Sequence, residues 1–195
     1  MNDFFIMRHE LLLTAVIIIL LLNEIFSGKE NKNILFPIFL FLIVVITGFL
    51  PSQEGSLFGG MYQTDAMRIL MKNILNLGTF IILLQSAAYL KNEENKGKST
   101  EFILLLFSTL LGMNFMISSG DFLMFYLGLE LATIPMAALA AFDKFKNKSS
   151  EAGMKLILLA AFSSGVTLYG ISMIYGTTGS IFFSDIARTF VNDNL

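Results

Sequence analysis

Apolar runs of bilayer-spanning length recur along this chain, and the polar breaks between them are short. That spacing leaves little choice of fold. In lipid a backbone must satisfy its own hydrogen bonds, and about 20 apolar residues of helix span the hydrocarbon core. The runs are Leu11 to Leu22, Ile34 to Leu50, Ile69 to Leu90, Phe102 to Ser118, Asp121 to Phe142 and Glu151 to Tyr175. Only 14% of the 195 residues are charged, against about 25% in a soluble domain. The expected fold is all-α, a polytopic membrane helix bundle with about six transmembrane helices. No strand or heptad pattern is evident.

The breaks carry their own signals. Residues Pro51 to Met61 combine a proline with three glycines and read as a loop. Asp121 follows the tight turn Ser118 to Gly120, and a carboxylate there suits the N-cap of the fifth helix. Lys91 to Lys98 and Asp143 to Ser150 are hydrophilic loops. After the turn Gly176 to Gly179, residues Ser180 to Phe190 read as a short amphipathic surface helix.

Loop charge sets an orientation. With the N-terminus on the periplasmic side, the inner loops hold Lys29, Lys32, Lys91, Lys96, Lys98, Lys144, Lys146 and Lys148. The outer side then holds only Arg8, Arg68, Lys72 and Arg188. Six spans return the C-terminal end to the outer side. The mixed charge of Asp3, Arg8, His9 and Glu10, with no small-residue cleavage site after Leu22, does not match a cleavable signal peptide.

Composition excludes several chemistries. Cysteine is absent, which removes disulfides and thiolate sites. His9 is the single histidine and cannot hold a metal alone. No basic patch interleaved with aromatics points to nucleic acid, and no glycine-rich phosphate loop occurs.

Glu130 is the main candidate for function. It lies nine residues after Asp121, about 13 Å along the helix and so near the bilayer middle. A charge there costs about 3 kcal/mol or more. Burial disfavours the carboxylate and a neighbouring cation favours it, so moving a cation switches its proton occupancy. The alternative is a structural acid bonded to a neighbouring helix. Pro135, five residues on, removes a backbone donor and should bend the helix. Lys155 opens the sixth span, where it serves either a water-linked proton path or a snorkelling anchor. Its depth differs from that of Glu130 by about 12 Å, which argues against a direct ion pair. Asp65, Arg68 and Lys72 are expected to cap and anchor the third span. Ser163, Ser164 and Thr167 line a hydrated path or pack helices closely. Glu10 and Glu24 are expected at the interfaces of the first span.

Four stretches are more particular than generic membrane helices. FYLGLELATIPMAALAAF is followed by SSEAGMKLILLAAFSSGVTLYGISMIYGTTGS, and HELLL and DAMRILMK precede them. Together they resemble the subunit N family of proton-pumping NADH-quinone oxidoreductase, respiratory complex I. A weaker likeness is to other antiporter-like subunits of that complex and of multisubunit sodium/proton antiporters. The resemblance implies an antiporter-like fold with inverted five-helix repeats. It divides the chain into a three-helix membrane segment, residues 1–100, and the start of the first repeat with a surface helix, residues 101–195. Glu130 then matches the fifth-helix glutamate of the first half-channel, and Lys155 a lysine at the start of the sixth helix.

The family's central lysine on its seventh helix has no counterpart here. The resemblance thus implies the N-terminal portion of a longer subunit, or a truncated relative, with an incomplete fold. It implies a membrane-arm subunit in a bacterial inner membrane, partnered by other membrane-arm subunits and lipid. NADH and quinone would be met only through the complex, with no cofactor on this chain. The other expectations are a subunit of a cation/proton antiporter and a non-pumping membrane scaffold.

Overall fold

The computed structural model describes residues 3–26, 34–51, 53–90, 98–143 and 146–192. The loop residues expected at 27–33 and 91–97, and Lys144, lie outside the described residues. A 3-10 turn, Asp3–Met7, leads into α1 (Arg8–Phe26), followed by α2 (Leu35–Gly48). A two-stranded antiparallel hairpin, β1 (Gly55–Leu57) and β2 (Tyr62–Thr64), precedes α3 (Ala66–Leu90). Then come α4 (Ser99–Ile117), α5 (Phe122–Ala140), α6 (Asn147–Thr178) and the short α7 (Phe183–Asn192).

Among the described residues, five helices are long and apolar enough to cross a membrane; α2, with 14 residues, is a shorter apolar helix. The first four share one core. Leu13, Val16 and Leu20 of α1 meet Phe41, Val44 and Val45 of α2, Leu83 and Leu90 of α3, and Ile103, Phe107 and Leu110 of α4. Phe41 stacks on Phe107 with ring centroids 4.6 Å apart. The opposite faces stay apolar and outward, as with Ile18, Leu22, Ile74, Ile81 and Leu158. A helix that is greasy all round suits lipid outside and a core inside.

α5 joins through glycine. A Cβ built on Gly112 would stand 2.4 Å from the Ala132 amide nitrogen, and one on Gly128 would stand 2.7 Å from that of Met116. Hydrogen at these two positions lets α4 and α5 touch backbone to backbone. α6 is held less widely, with Gly153 against Ala141 and Ser164 turned toward α5. α5 continues as helix through Pro135.

The loop expected at Pro51 to Met61 contains β1 and leads directly into β2, a departure from the expected irregular loop. Strands of three residues are too short to show alternation, and tertiary pairing makes them. Gln63 N donates to Ser118 O at 2.8 Å, and Gly120 N donates to Met61 O at 2.7 Å, so the α4–α5 turn pairs along β2. A Cβ on Gly120 would meet Gly60 O at 2.0 Å, which reserves that position for glycine. The linker before α7 pairs on the other side, through Phe122 N to Ile181 O at 3.0 Å and Phe183 N to Gly120 O at 3.2 Å. Arg8 binds the carbonyls of Leu50 and Pro51. The N-terminal turn, the hairpin, the α4–α5 turn and the α7 linker therefore meet at one end of the bundle. That is the alternation expected of six consecutive spans.

Candidate functional site

Two acids turned into the bundle stand out, Glu10, which is buried, and Glu130, which is half-buried; the sequence points to Glu130 as the functional one. Glu130 lies ten residues before the end of α5, about 15 Å along its axis. Its side chain is half-buried, and Ser164 of α6 donates a hydrogen bond to its Oε1. Ser164 and Gly153 are the buried residues of α6, so this bond lies on the strip where α6 meets α5. Tyr126 stands one turn before Glu130 on the same helix face. Lys155 is not brought to this acid. It lies nine residues, about 14 Å, before Ser164 on α6, and it pairs with Glu151 at 2.5 Å, both side chains exposed. Of the small polar group, Ser164 reaches Glu130, whereas Thr167 donates to the Ser163 carbonyl at 2.9 Å.

Asp121 is the N-cap of α5, as its place in the sequence suggested. Its Oδ1 accepts from Met124 N at 2.7 Å. Asp65 and Arg68 also hold the start of α3. Asp65 Oδ1 accepts from Arg68 N at 2.8 Å, and the Arg68 guanidinium donates to the Ile117 carbonyl at 3.0 Å and to Gln63 Oε1 at 3.1 Å.

Lys72 and Glu10 depart from expectation. Both side chains are buried among the helices. Lys72 Nζ lies 2.6 Å from Glu10 Oε1, with side chains 0% and 1% exposed. Lys72 also donates to the Tyr62 hydroxyl at 3.0 Å, and that hydroxyl donates to Glu10 Oε2 at 2.8 Å. Ser118 Oγ donates to Glu10 Oε1 at 3.4 Å. Four elements thus converge on one carboxylate: α1, α3, β2 and the end of α4. Burial, together with the Glu10 charge beside it, holds the Tyr62 phenol well above the ordinary tyrosine range. A second set adjoins it. His9 Nε2 is 3.2 Å from Asn73 Oδ1, and Asn73 Nδ2 donates to the Gly48 carbonyl at 3.0 Å. Since the Asn73 amide nitrogen is used on Gly48, its oxygen accepts, and His9 bears its proton on Nε2.

A signal for this cluster did exist. Lys72, Asn76 and Thr79 recur at helical spacing and continue into Leu83. Polar residues on one stripe of a membrane helix face protein rather than lipid. The stripe marks Lys72 as inward, but it does not say which acid meets it.

Spanning helices with short connections, and acids held among them, define a polytopic α-helical membrane protein. A family model described as NADH:quinone oxidoreductase/Mrp antiporter, TM, matches residues 119–195. The chain is 50% identical over 181 residues to NADH-quinone oxidoreductase subunit N of Phocaeicola vulgatus, covering 92% of this chain and 38% of that one. It is 41% identical over 198 residues to the subunit N of Azobacteroides pseudotrichonymphae, covering 100% and 41%. The chain spans about two fifths of the length of these curated relatives. A subunit of respiratory complex I from Thermus thermophilus with bound aureothin has the same fold, with a TM-score of 0.73 at 22% identity over 89% of this chain and 38% of that one. A chain of the archaeal membrane-bound sulfane sulfur reductase follows the fold with a TM-score of 0.66 at 22% identity, over 92% and 39%. The chain belongs to the antiporter-like membrane subunits, in the subunit N family of NADH-quinone oxidoreductase.

Proposed function

We propose that this chain contributes to proton translocation as part of a membrane-arm subunit of NADH-quinone oxidoreductase in a bacterial inner membrane. Glu130 is the proton-carrying carboxylate. The observation that carries this reading is its position: mid-helix in α5, held by a hydroxyl from α6, and with no ion pair among the described residues. A carboxylate at that depth needs a polar or charged counterpart that moves. In this reading the counterpart lies on another part of the assembly, and redox chemistry with NADH, quinone and their cofactors belongs to partner subunits. Electron transfer would displace charge along the arm and change the proton occupancy of Glu130. The energy scale fits, since one charge crossing 100 mV corresponds to about 2.3 kcal/mol. Lys155, exposed and paired with Glu151, would join the path through water or anchor α6 at the interface.

The second reading is a subunit of a cation/proton antiporter, which the name of the matched family supports. Neighbouring genes separate the two: dehydrogenase subunits favour the first and antiporter subunits the second. The Glu130→Gln variant, in the reconstituted complex, tests the carboxylate itself. Proton translocation should fall at least tenfold while the complex still assembles. Wild-type translocation would remove Glu130 from the path and leave the chain a membrane scaffold.

A further inference from the structure

The cluster around Glu10 does not end at Lys72 and Ser118. These two residues, on antiparallel α3 and α4, meet at one oxygen, Glu10 Oε1. Four residues further along α3 is Asn76, and four residues back along α4 is Asn114. One helical turn returns a side chain to the same face about 6 Å along the axis. Both asparagines therefore lie one layer inward of the ion pair. Each is 1% exposed, and neither Nδ2 nor Oδ1 of either finds a hydrogen-bond partner among the described residues. The next turns bring Thr79 and Leu110, then Leu83 and Phe107. The polar layer is bounded by the ion pair on one side and by hydrocarbon on the other.

Buried amides are almost always hydrogen-bonded, by protein or by ordered water. Four amide atoms without partners at one level of the bundle require a ligand that both donates and accepts. Water does so, and buried water makes two to four such bonds. The neighbouring groups exclude charged alternatives: an anion would meet Glu10, and a metal cation would meet the Lys72 ammonium with only neutral amides to hold it. We propose that α1, α3 and α4 enclose a water-binding site at the level of Asn76 and Asn114, whose water extends the Glu10–Lys72 network into the bundle. The pair is then a hydrated acid–base site rather than a dry staple, and protons exchange between its members and that water. Leu83 and Phe107 stop the water from continuing across the bundle. The site stands independently of the role given to Glu130.

The test is electron cryomicroscopy of the assembled complex containing this chain, at a resolution that shows ordered water. Wild-type density should show water within hydrogen-bond distance of the amides of Asn76 and Asn114. The Asn76→Leu/Asn114→Leu double variant should lose that density while Glu10 and Lys72 stay paired. A dry wild-type layer, with the amides bonded to each other or to other side chains, would overturn the proposal. Water persisting in the double variant would overturn it too, by assigning the water to the ion pair alone. Should the double variant fail to assemble, the wild-type map decides.

Discussion

Glu10 and Lys72 form an ion pair at 2.6 Å across 62 positions of sequence, and neither side chain reaches solvent. The pair ties the first helix to the third, and Tyr62 and Ser118 bring the hairpin and the end of α4 onto the same carboxylate. Removing one member leaves a buried charge alone, which costs about 3 kcal/mol or more. Lys72→Met and Glu10→Gln should each lower the thermal stability of the purified protein substantially. The double variant should cost less than the sum of the two, because no stranded charge remains. Additive losses in a double-mutant cycle would show that the two side chains do not interact.

The contact of α4 with α5 predicts a contrast between glycines. Gly128→Ala forces a methyl to within 2.7 Å of Met116 N and should destabilise by about 1–3 kcal/mol. Gly165 of α6 has nothing within 4 Å of a built Cβ. Gly165→Ala should be neutral or stabilising, by up to about 1 kcal/mol from helix propensity. Melting temperatures of the two variants in one detergent check this; equal losses would contradict the close approach.

Asp121 is fully buried and caps α5 through Met124 N. Asp121→Ala should cost about 0.5–2 kcal/mol, and Asp121→Asn, which keeps an accepting oxygen, clearly less. Chemical unfolding monitored by fluorescence of an added reporter would rank the three proteins. An Asn variant as unstable as Ala would refute the cap.

Tyr62 carries a pH prediction. Its phenol is held above the ordinary value of 10.0, chiefly by burial and then by the Glu10 charge. The unfolded chain therefore gives up this proton at lower pH than the folded one. The stability it contributes is present below about pH 10 and declines as pH rises beyond that. Tyr62→Phe loses the hydrogen bond to Glu10 and starts less stable. The gap between variant and wild type should narrow above pH 10 in melting curves taken across pH 7 to 11. A constant gap would mean that the phenol titrates alike in both states.

Lys155 and Glu151 form an exposed i,i+4 pair, and such pairs contribute about 0.2–0.5 kcal/mol. Lys155→Gln should leave the melting temperature close to wild type. Any loss of proton translocation in that variant would then report on the path rather than on the fold.

The membrane class, the succession of six apolar runs, the Asp121 cap and the mid-helix depth of Glu130 were legible in the residues themselves. Each follows from local physics: the length of an apolar run, the free amides at a helix start, and a fixed rise per residue. The separation of Glu130 from Lys155 was legible for the same reason. The hairpin at residues 55–64 was not, because three-residue strands carry no period and exist through bonds to Ser118 and Gly120. Nor was the burial of Glu10 and Lys72. A charged residue near the end of an apolar run reads as interfacial when only its neighbours in sequence are counted. Whether it faces water or another helix depends on rotation about the helix axis and on what stands opposite. Only the assembled bundle placed an acid of α1, a lysine of α3, a tyrosine of β2 and a serine after α4 within bonding distance of one another.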